Sequence, residues 1–277
     1  MYSIYKFFDS LLDGKEKLLQ IKKLDKFPFD KKLLSCVNSG VFPDLAIKIN
    51  PQPSQLTGGE LIELKDSVSY TVSSFNSTIP SRTKEISKII QGENSIIKEQ
   101  MEKAGDDVYS LPVRDVFYLV RGRKKTKVKV CLVHGSFFET TPIENLISQS
   151  FGQVLEERLK QSDIQLSEDI KKTLLTIFSQ QGNFSKVRNI EKASVKLRFR
   201  IMTEVKKEGN LLNDKLFPEI LNNTINFLLP CYDEVAKEKL FSNMKLELKQ
   251  RNFASLKDFT LKHPLNGPFL VFQTSLK

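Results

Sequence analysis

Ser39–Ser81 reads SGVFPDLAIKINPQPSQLTGGELIELKDSVSYTVSSFNSTIPS, and its reading decides the fold. Two short runs, Asp44–Asn50 and Glu60–Asp66, alternate apolar and polar residues as half-buried strands do. Leu45, Ile47 and Ile49 fall on one face of the first run, with Ile62 and Leu64 on the same face of the second. Asp44, Ala46 and Lys48 turn the other way, with Leu61, Glu63 and Lys65. Between the runs NPQPSQLTGG carries two prolines and two glycines, the composition of a loop. Folding the runs antiparallel with Leu45 opposite Ile62 sets Asp44 opposite Glu63. Directly opposed Cβ atoms lie roughly 4.5–5.5 Å apart, so two carboxylates converge. Lys65 emerges on their face because strand side chains alternate with period two.

Two convergent carboxylates repel unless a positive charge lies between them. A hard cation such as Mg²⁺ suits the gap, since it takes a few oxygen ligands and keeps several waters. The backbone carbonyl of Leu64, between Glu63 and Lys65, is a further candidate ligand. A bound metal that lowers the pKa of water and polarises a phosphoryl oxygen makes such a cluster hydrolytic.

Pro43-Asp44 with Glu63-Leu64-Lys65 resembles the signature of the PD-(D/E)XK nucleases, and among them the type II restriction endonucleases. The resemblance covers the hairpin well and the rest of the chain in outline. It implies an α/β (α+β) fold with a mixed central β-sheet flanked by helices, followed by a helical and β C-terminal subdomain. It implies that Asp44 and Glu63 hold Mg²⁺ and that Lys65 assists the attacking water. The expected partner is double-stranded DNA bound by a homodimer. A cognate DNA methyltransferase is expected as a functional companion, without a stable complex. An acid two residues before a lysine also occurs at Asp13/Lys15, Asp30/Lys32, Asp169/Lys171, Glu204/Lys206 and Glu247/Lys249. Only Glu63/Lys65 ends an apolar strand with the single Pro-Asp of the chain at a hairpin's distance upstream. The competing reading of these residues is a surface hairpin with a cross-strand ion pair.

The 277 residues, 40% hydrophobic and 27% charged, suffice for one large globular domain or two smaller ones. Residues 1–140 are expected to form the catalytic core and 141–277 a recognition or dimerisation subdomain, with one continuous domain as the alternative. The net charge of +10 favours a polyanion partner, nucleic acid before anionic membrane, although compositional bias also yields lysine-rich chains. Cys36, Cys131 and Cys231 are odd in number, widely spaced and set among apolar residues. They read as reduced core thiols, which points to a cytoplasmic protein. The first residues, MYSIYKFFDSLLDGKEK, do not have the pattern of a signal peptide, and no stretch reaches the roughly 20 apolar residues of a membrane span.

In chain order, periodicity predicts helices over Ser3–Leu12, Glu16–Leu24 and Asp30–Asn38 before the hairpin. Glu16 is the one glutamate upstream of it. After Lys65 a segment rich in hydroxyls and amides offers DNA contacts through Ser73, Ser74, Asn76, Ser77, Thr78, Arg82 and Lys84. The same segment also suits a polar loop capping a helix over Lys84–Ala104, with Ser81 or Thr83 as N-cap and Glu85 nearby. Val113–Arg121 and Lys127–His134 read as strands joined by the basic turn GRKKTK. Pro142–Gln161 and Ser167–Gln180 read as amphipathic helices, the second capped by Ser167. Gly182–Lys207 alternates apolar residues with cations, so Arg188, Arg198 and Arg200 are candidates for guanine or phosphate contacts, against a solvated strand face. Helices are predicted over Leu211–Leu229 and Glu234–Arg251, and a closing hairpin over Asp258–Lys262 and Phe269–Thr274. His134 and His263 read as packing histidines. Two further functional classes remain open: a repair or recombination nuclease, and a basic DNA-binding protein without catalysis.

Overall fold

The run VFYLV at 116–120 is buried along its whole length, which only a strand covered on both faces achieves. It lies in the middle of the longest strand of a computed structural model. That structure describes residues 33–35, 42–49, 58–72, 74–76, 80–90, 96–103, 105–139, 143–179, 202–248 and 253–276. The strands are β1 (Leu33–Ser35), β2 (Leu45–Ile47), β3 (Leu61–Ser67), β4 (Ser74–Asn76), β5 (Thr83–Glu85), β6 (Val113–Lys124), β7 (Lys127–His134), β8 (Met202–Glu204), β9 (Thr224–Pro230), β10 (Lys257–His263) and β11 (Gly267–Ser275). The α-helices are α1 (Ile86–Ile89), α2 (Ile96–Lys103), α3 (Ile143–Ser162), α4 (Glu168–Ser179) and α5 (Glu234–Glu247).

The protein is mixed α/β. Its main sheet runs β1-β2-β3-β6-β7-β9-β11-β10, and β5 pairs with β6 beside that path. β1, β2 and β3 form an antiparallel meander. The chain then passes through β5, α1 and α2 and returns as β6, parallel to β3. β6 and β7 form a tight hairpin, β9 lies parallel to β7, and the β10–β11 hairpin adds to β9 through β11.

One face of the sheet carries Leu45, Ile62, Phe117, Leu119, Val130, Ile225, Leu270 and Phe272. Leu240, Phe241 and Met244 of α5 and Phe253 pack against it. The ring of Phe241 lies 5.7 Å from that of Phe272, edge to face, a favoured aromatic geometry. The opposite face carries Ala46, Leu61, Val116, Tyr118 and Val120, all fully buried.

By chain contacts the protein divides into two compact units. The first holds the main sheet and comprises Met1–Ser73, Arg82–Phe138 and Val205–Lys277. The second comprises Ser74–Ser81 and Glu139–Glu204. In it the α3–α4 hairpin accompanies a two-stranded sheet in which β4 is antiparallel to β8.

The predicted 44–66 hairpin, the strands on either side of GRKKTK and the closing hairpin are present. Leu45 stands opposite Ile62, the predicted register. In α4 the Ser167 hydroxyl accepts from the Ile170 amide, as an N-cap does. Three predicted helices are corrected. Asp30–Asn38 contains β1, because β2 offers an edge to pair with and tertiary pairing outweighs local preference. Lys84–Ala104 is not continuous: Thr83–Glu85 pairs with β6 before α1 begins, and α2 follows separately. Leu211–Leu229 contains β9. A strand buried on both faces gives an unbroken apolar run that periodicity cannot tell from a helix. The predicted helices over Ser3–Leu12 and Glu16–Leu24, with Glu16 itself and Cys36, lie outside the described residues. So does most of Gly182–Lys207, in which β8 is described. Cys131 and Cys231 are buried free thiols, and burial pushes the Cys131 thiol up to about 12. Among the described residues no helix is long and apolar enough to cross a membrane.

Candidate active site

β2 is short. It pairs with β3 only at Leu45↔Ile62 and Ala46↔Leu61, and Ile47 N donates to Glu60 O at 2.8 Å. That bond fixes the parity of β3: Glu60, Ile62 and Leu64 turn their backbone groups toward β2, while Leu61, Glu63 and Lys65 turn theirs toward β6. Continued one step, the register sets Asp44 opposite Glu63, and a second step sets Pro43 opposite Leu64. Proline has no N–H. The ladder therefore stops there, and the Leu64 amide is met by a side chain instead, donating to Asp44 Oδ2 at 2.7 Å. The Leu64 carbonyl faces the same gap. Its side chain, on the opposite face, is exposed.

Glu63 and Lys65, two residues apart on β3, share the face that begins with Ala46 and Leu61. Lys65 Nζ lies 2.9 Å from Glu63 Oε1. The Glu63 side chain is 10% exposed and that of Lys65 21%, so the pair sits at the border of core and solvent. Burial raises the Glu63 pKa above the ordinary carboxylate value. The Lys65 ammonium pulls it back, and the nearby Asp44 carboxylate pushes it up again. Beside Glu63, on the neighbouring strand β6, the register places the buried Tyr118, and beside Lys65 it places Val120.

Two carboxylates and one ammonium thus meet where β2 begins, with two acids to one ammonium among the described residues and a backbone carbonyl directed to the same gap. These donors are all oxygen, and the gap is neither apolar nor fully closed. They fit a hard divalent cation that retains water. Asp44, Glu63 and the Leu64 carbonyl are the groups that would hold it.

The other sequence-derived candidates are placed as follows. Arg82 is exposed just before β5, and its backbone carbonyl accepts from Val116 N at 2.9 Å. Lys84, within β5, holds its ammonium 5.2 Å from the ring centre of Phe42, two residues before Asp44. Ser74 and Asn76 are the ends of β4, in the second unit. Ser73, Ser77, Thr78, Arg188, Arg198 and Arg200 lie outside the described residues. The rival pair Glu204/Lys206 has Glu204 exposed at the end of β8. His134 and His263 are both buried. His134 Nδ1 meets the Ser136 hydroxyl at 2.7 Å, and His263 Nδ1 accepts from the amides of Leu265 and Asn266.

One cluster went unnoticed in the sequence. Asp66, next after Lys65, accepts from Arg121 Nε and Nη2, both at 2.8 Å, and from Arg123 Nη2 at 3.1 Å. The parallel register Asp66↔Arg121 makes this contact, and it links residues too distant in sequence for any local pattern to reveal.

No protein-family model, no curated protein and no solved structure matches this chain.

Proposed function

We propose that the protein is a Mg²⁺-dependent endonuclease that hydrolyses phosphodiester bonds of double-stranded DNA, of the sequence-specific restriction type and with a restriction-endonuclease-like core. One observation carries the reading. The strand register brings Asp44, Glu63 and Lys65, the three residues of the sequence signature, to one gap at the start of β2. The order of the core agrees with it: a carboxylate-bearing hairpin, then helices, then a parallel strand within a mixed sheet.

Asp44, Glu63 and the Leu64 carbonyl would hold Mg²⁺, which when bound lowers the pKa of water and polarises a phosphoryl oxygen. The chain's own residues do the remaining work. The Leu64 amide fixes the rotamer of Asp44 by its hydrogen bond. Tyr118 on the neighbouring strand and Leu61 two residues earlier on β3 are fully buried and flank Glu63 on its face of the sheet, which limits solvent there. Lys65 offers an ammonium on the open side of Glu63, where it orients the attacking water and offsets charge growing on the phosphate. Lys84, held over Phe42, brings a positive charge suited to phosphates close to the Asp44 segment, and exposed Arg82 lies two residues before it.

The test is incubation of unrelated DNAs with MgCl₂ and with EDTA, followed by mapping of the ends. Discrete Mg²⁺-dependent fragments are the expected result; structure-dependent nicks would instead indicate a repair nuclease. Lys65→Ala is expected to lower the cleavage rate by a factor of about 10² or more, while duplex affinity in EDTA is retained. Full activity of Lys65→Ala removes this site from the reaction. Binding without cleavage under any divalent metal returns the protein to the DNA-binding class.

A further inference from the structure

The tip of the β6–β7 hairpin carries Arg121, Arg123, Lys124, Lys125 and Lys127 within seven consecutive residues, all exposed. Among the described residues one acid, Asp66, meets them, and it engages Arg121 and Arg123. Among the described residues Lys125 and Lys127 have no ion-pair partner. Lys124 has its ammonium 5.9 Å from the ring centre of Tyr70.

Two features of the tip run against the stability of the hairpin. Lys124 stands directly opposite Lys127 in the strand register, and like charges so placed repel. Lys125 adopts φ 56° in the turn, where asparagine, aspartate or glycine is the favoured residue. Lys129, further down the same strand, is of another kind. It is fully buried, bonded to Asp214 Oδ1 at 2.6 Å, and belongs to the packing. The tip lysines do no such work for the fold, and their charges repel until an anion arrives.

Position specifies the anion. Lys65 pairs in register with Val120, and β6 continues from there toward the tip. The four residue steps from Val120 to Lys124 span about 13 Å at a strand's rise, or about four base steps of a duplex. A stiff two-stranded ribbon with cations on both strands suits a linear array of phosphates.

We infer that the β6–β7 tip, through Arg123, Lys124, Lys125 and Lys127, grips the phosphate backbone of duplex DNA a few base steps from the candidate active site, without reading sequence. The choice of duplex DNA rests on the nuclease reading above; the cationic ribbon does not.

The experiment uses the full chain with Lys124→Ala, Lys125→Ala and Lys127→Ala combined. Binding to fluorescent duplexes of unrelated sequence is measured in EDTA across a KCl series. Each lost phosphate contact lowers the slope of log K against log salt by about 0.9, so the triple variant is expected to lose about 2 to 3 from the slope. The loss should be equal for all duplexes. Thermal melting checks that the variant folds. An unchanged slope overturns the inference. So does a wild type that binds no duplex, or a triple variant that loses only adsorption to phosphatidylserine vesicles. Cleavage is read separately in MgCl₂. A protein that never cuts but shows the altered slope refutes the nuclease reading alone. One that cuts with an unaltered slope refutes the tip alone.

Discussion

Two acid–base clusters flank β2, and they are built in opposite ways. After β2, Asp106 is completely buried. Its Oδ1 accepts from the Ile49 amide at 3.0 Å and its Oδ2 from Arg114 Nη1 at 3.0 Å, while Arg114 Nη2 reaches the Val108 carbonyl. Both side chains have no exposure at all. Before β2, Asp44, Glu63 and Lys65 hold two negative charges against one positive, at the edge of solvent. The first cluster balances its charge and fastens the loop before β6 to the strand. Among the described residues the second sets two acids against one ammonium, at a partly open edge. The buried, charge-matched pair is a structural tie, whereas the set at the open edge is the one proposed above to take a cation.

Breaking that contrast from the structural side should have the largest effect on stability. Arg114→Met strands the Asp106 carboxylate in the core, and loss of one partner of a buried pair costs about 3–5 kcal/mol. Urea denaturation should show the drop, and Arg114→Met with Asp106→Asn should recover part of it. The site predicts the reverse. Replacing Glu63 by Gln removes a carboxylate that burial disfavours, so in EDTA near pH 7 the variant should be more stable, on the order of 1 kcal/mol. The sign follows from the raised pKa of Glu63. Between the ordinary carboxyl value and the raised one the folded state binds more protons than the unfolded. Wild-type stability therefore falls as pH rises through that window, and the advantage of Glu63→Gln vanishes below it. With MgCl₂ at 100 times its Kd the wild type should gain about 2.7 kcal/mol, and Glu63→Gln little or none. Equal responses of the two proteins to Mg²⁺ would remove Glu63 from the metal site.

A smaller effect concerns His263, which is buried against the ring of Phe137 at 4.6 Å. Burial lowers its pKa, so the folded protein keeps it neutral where the unfolded chain would protonate it. Its contribution is fully present above the ordinary histidine value and is lost as pH falls toward the depressed one, at no more than about 1.4 kcal/mol per pH unit. Thermal melts from about pH 7.5 to 5.5 should show that slope. His263→Asn should flatten it, since an Asn oxygen can accept from the same two turn amides without titrating.

Much of the candidate site was legible because its information is local. The alternation in LAIKI and LIELK sets the facing of each side chain, and agreement of the apolar faces sets Leu45 opposite Ile62. The rest was not legible, for identifiable reasons. β9 sits between β7 and β11 with both faces covered, so TINFLLP and the apolar residues before it carry no period of two. β1 and β5 are three-residue strands whose existence depends on an edge supplied from elsewhere in the chain. The Asp66–Arg121 contact and the Asp106–Ile49 bond join residues more than fifty apart, through pairings that no periodicity encodes.

The place of β9 governs how the molecule can be made. The strands bearing the two carboxylates leave the ribosome early, whereas β9, β10 and β11 are translated late. β9 supplies the parallel partner of β7 and, through β11, one whole flank of the sheet. Sheets closed by such distant pairings form slowly, and their unpaired strands are prone to aggregate meanwhile. A nascent chain that has already displayed its acidic gap must therefore wait for the β10–β11 hairpin before the sheet behind that gap is complete on that flank.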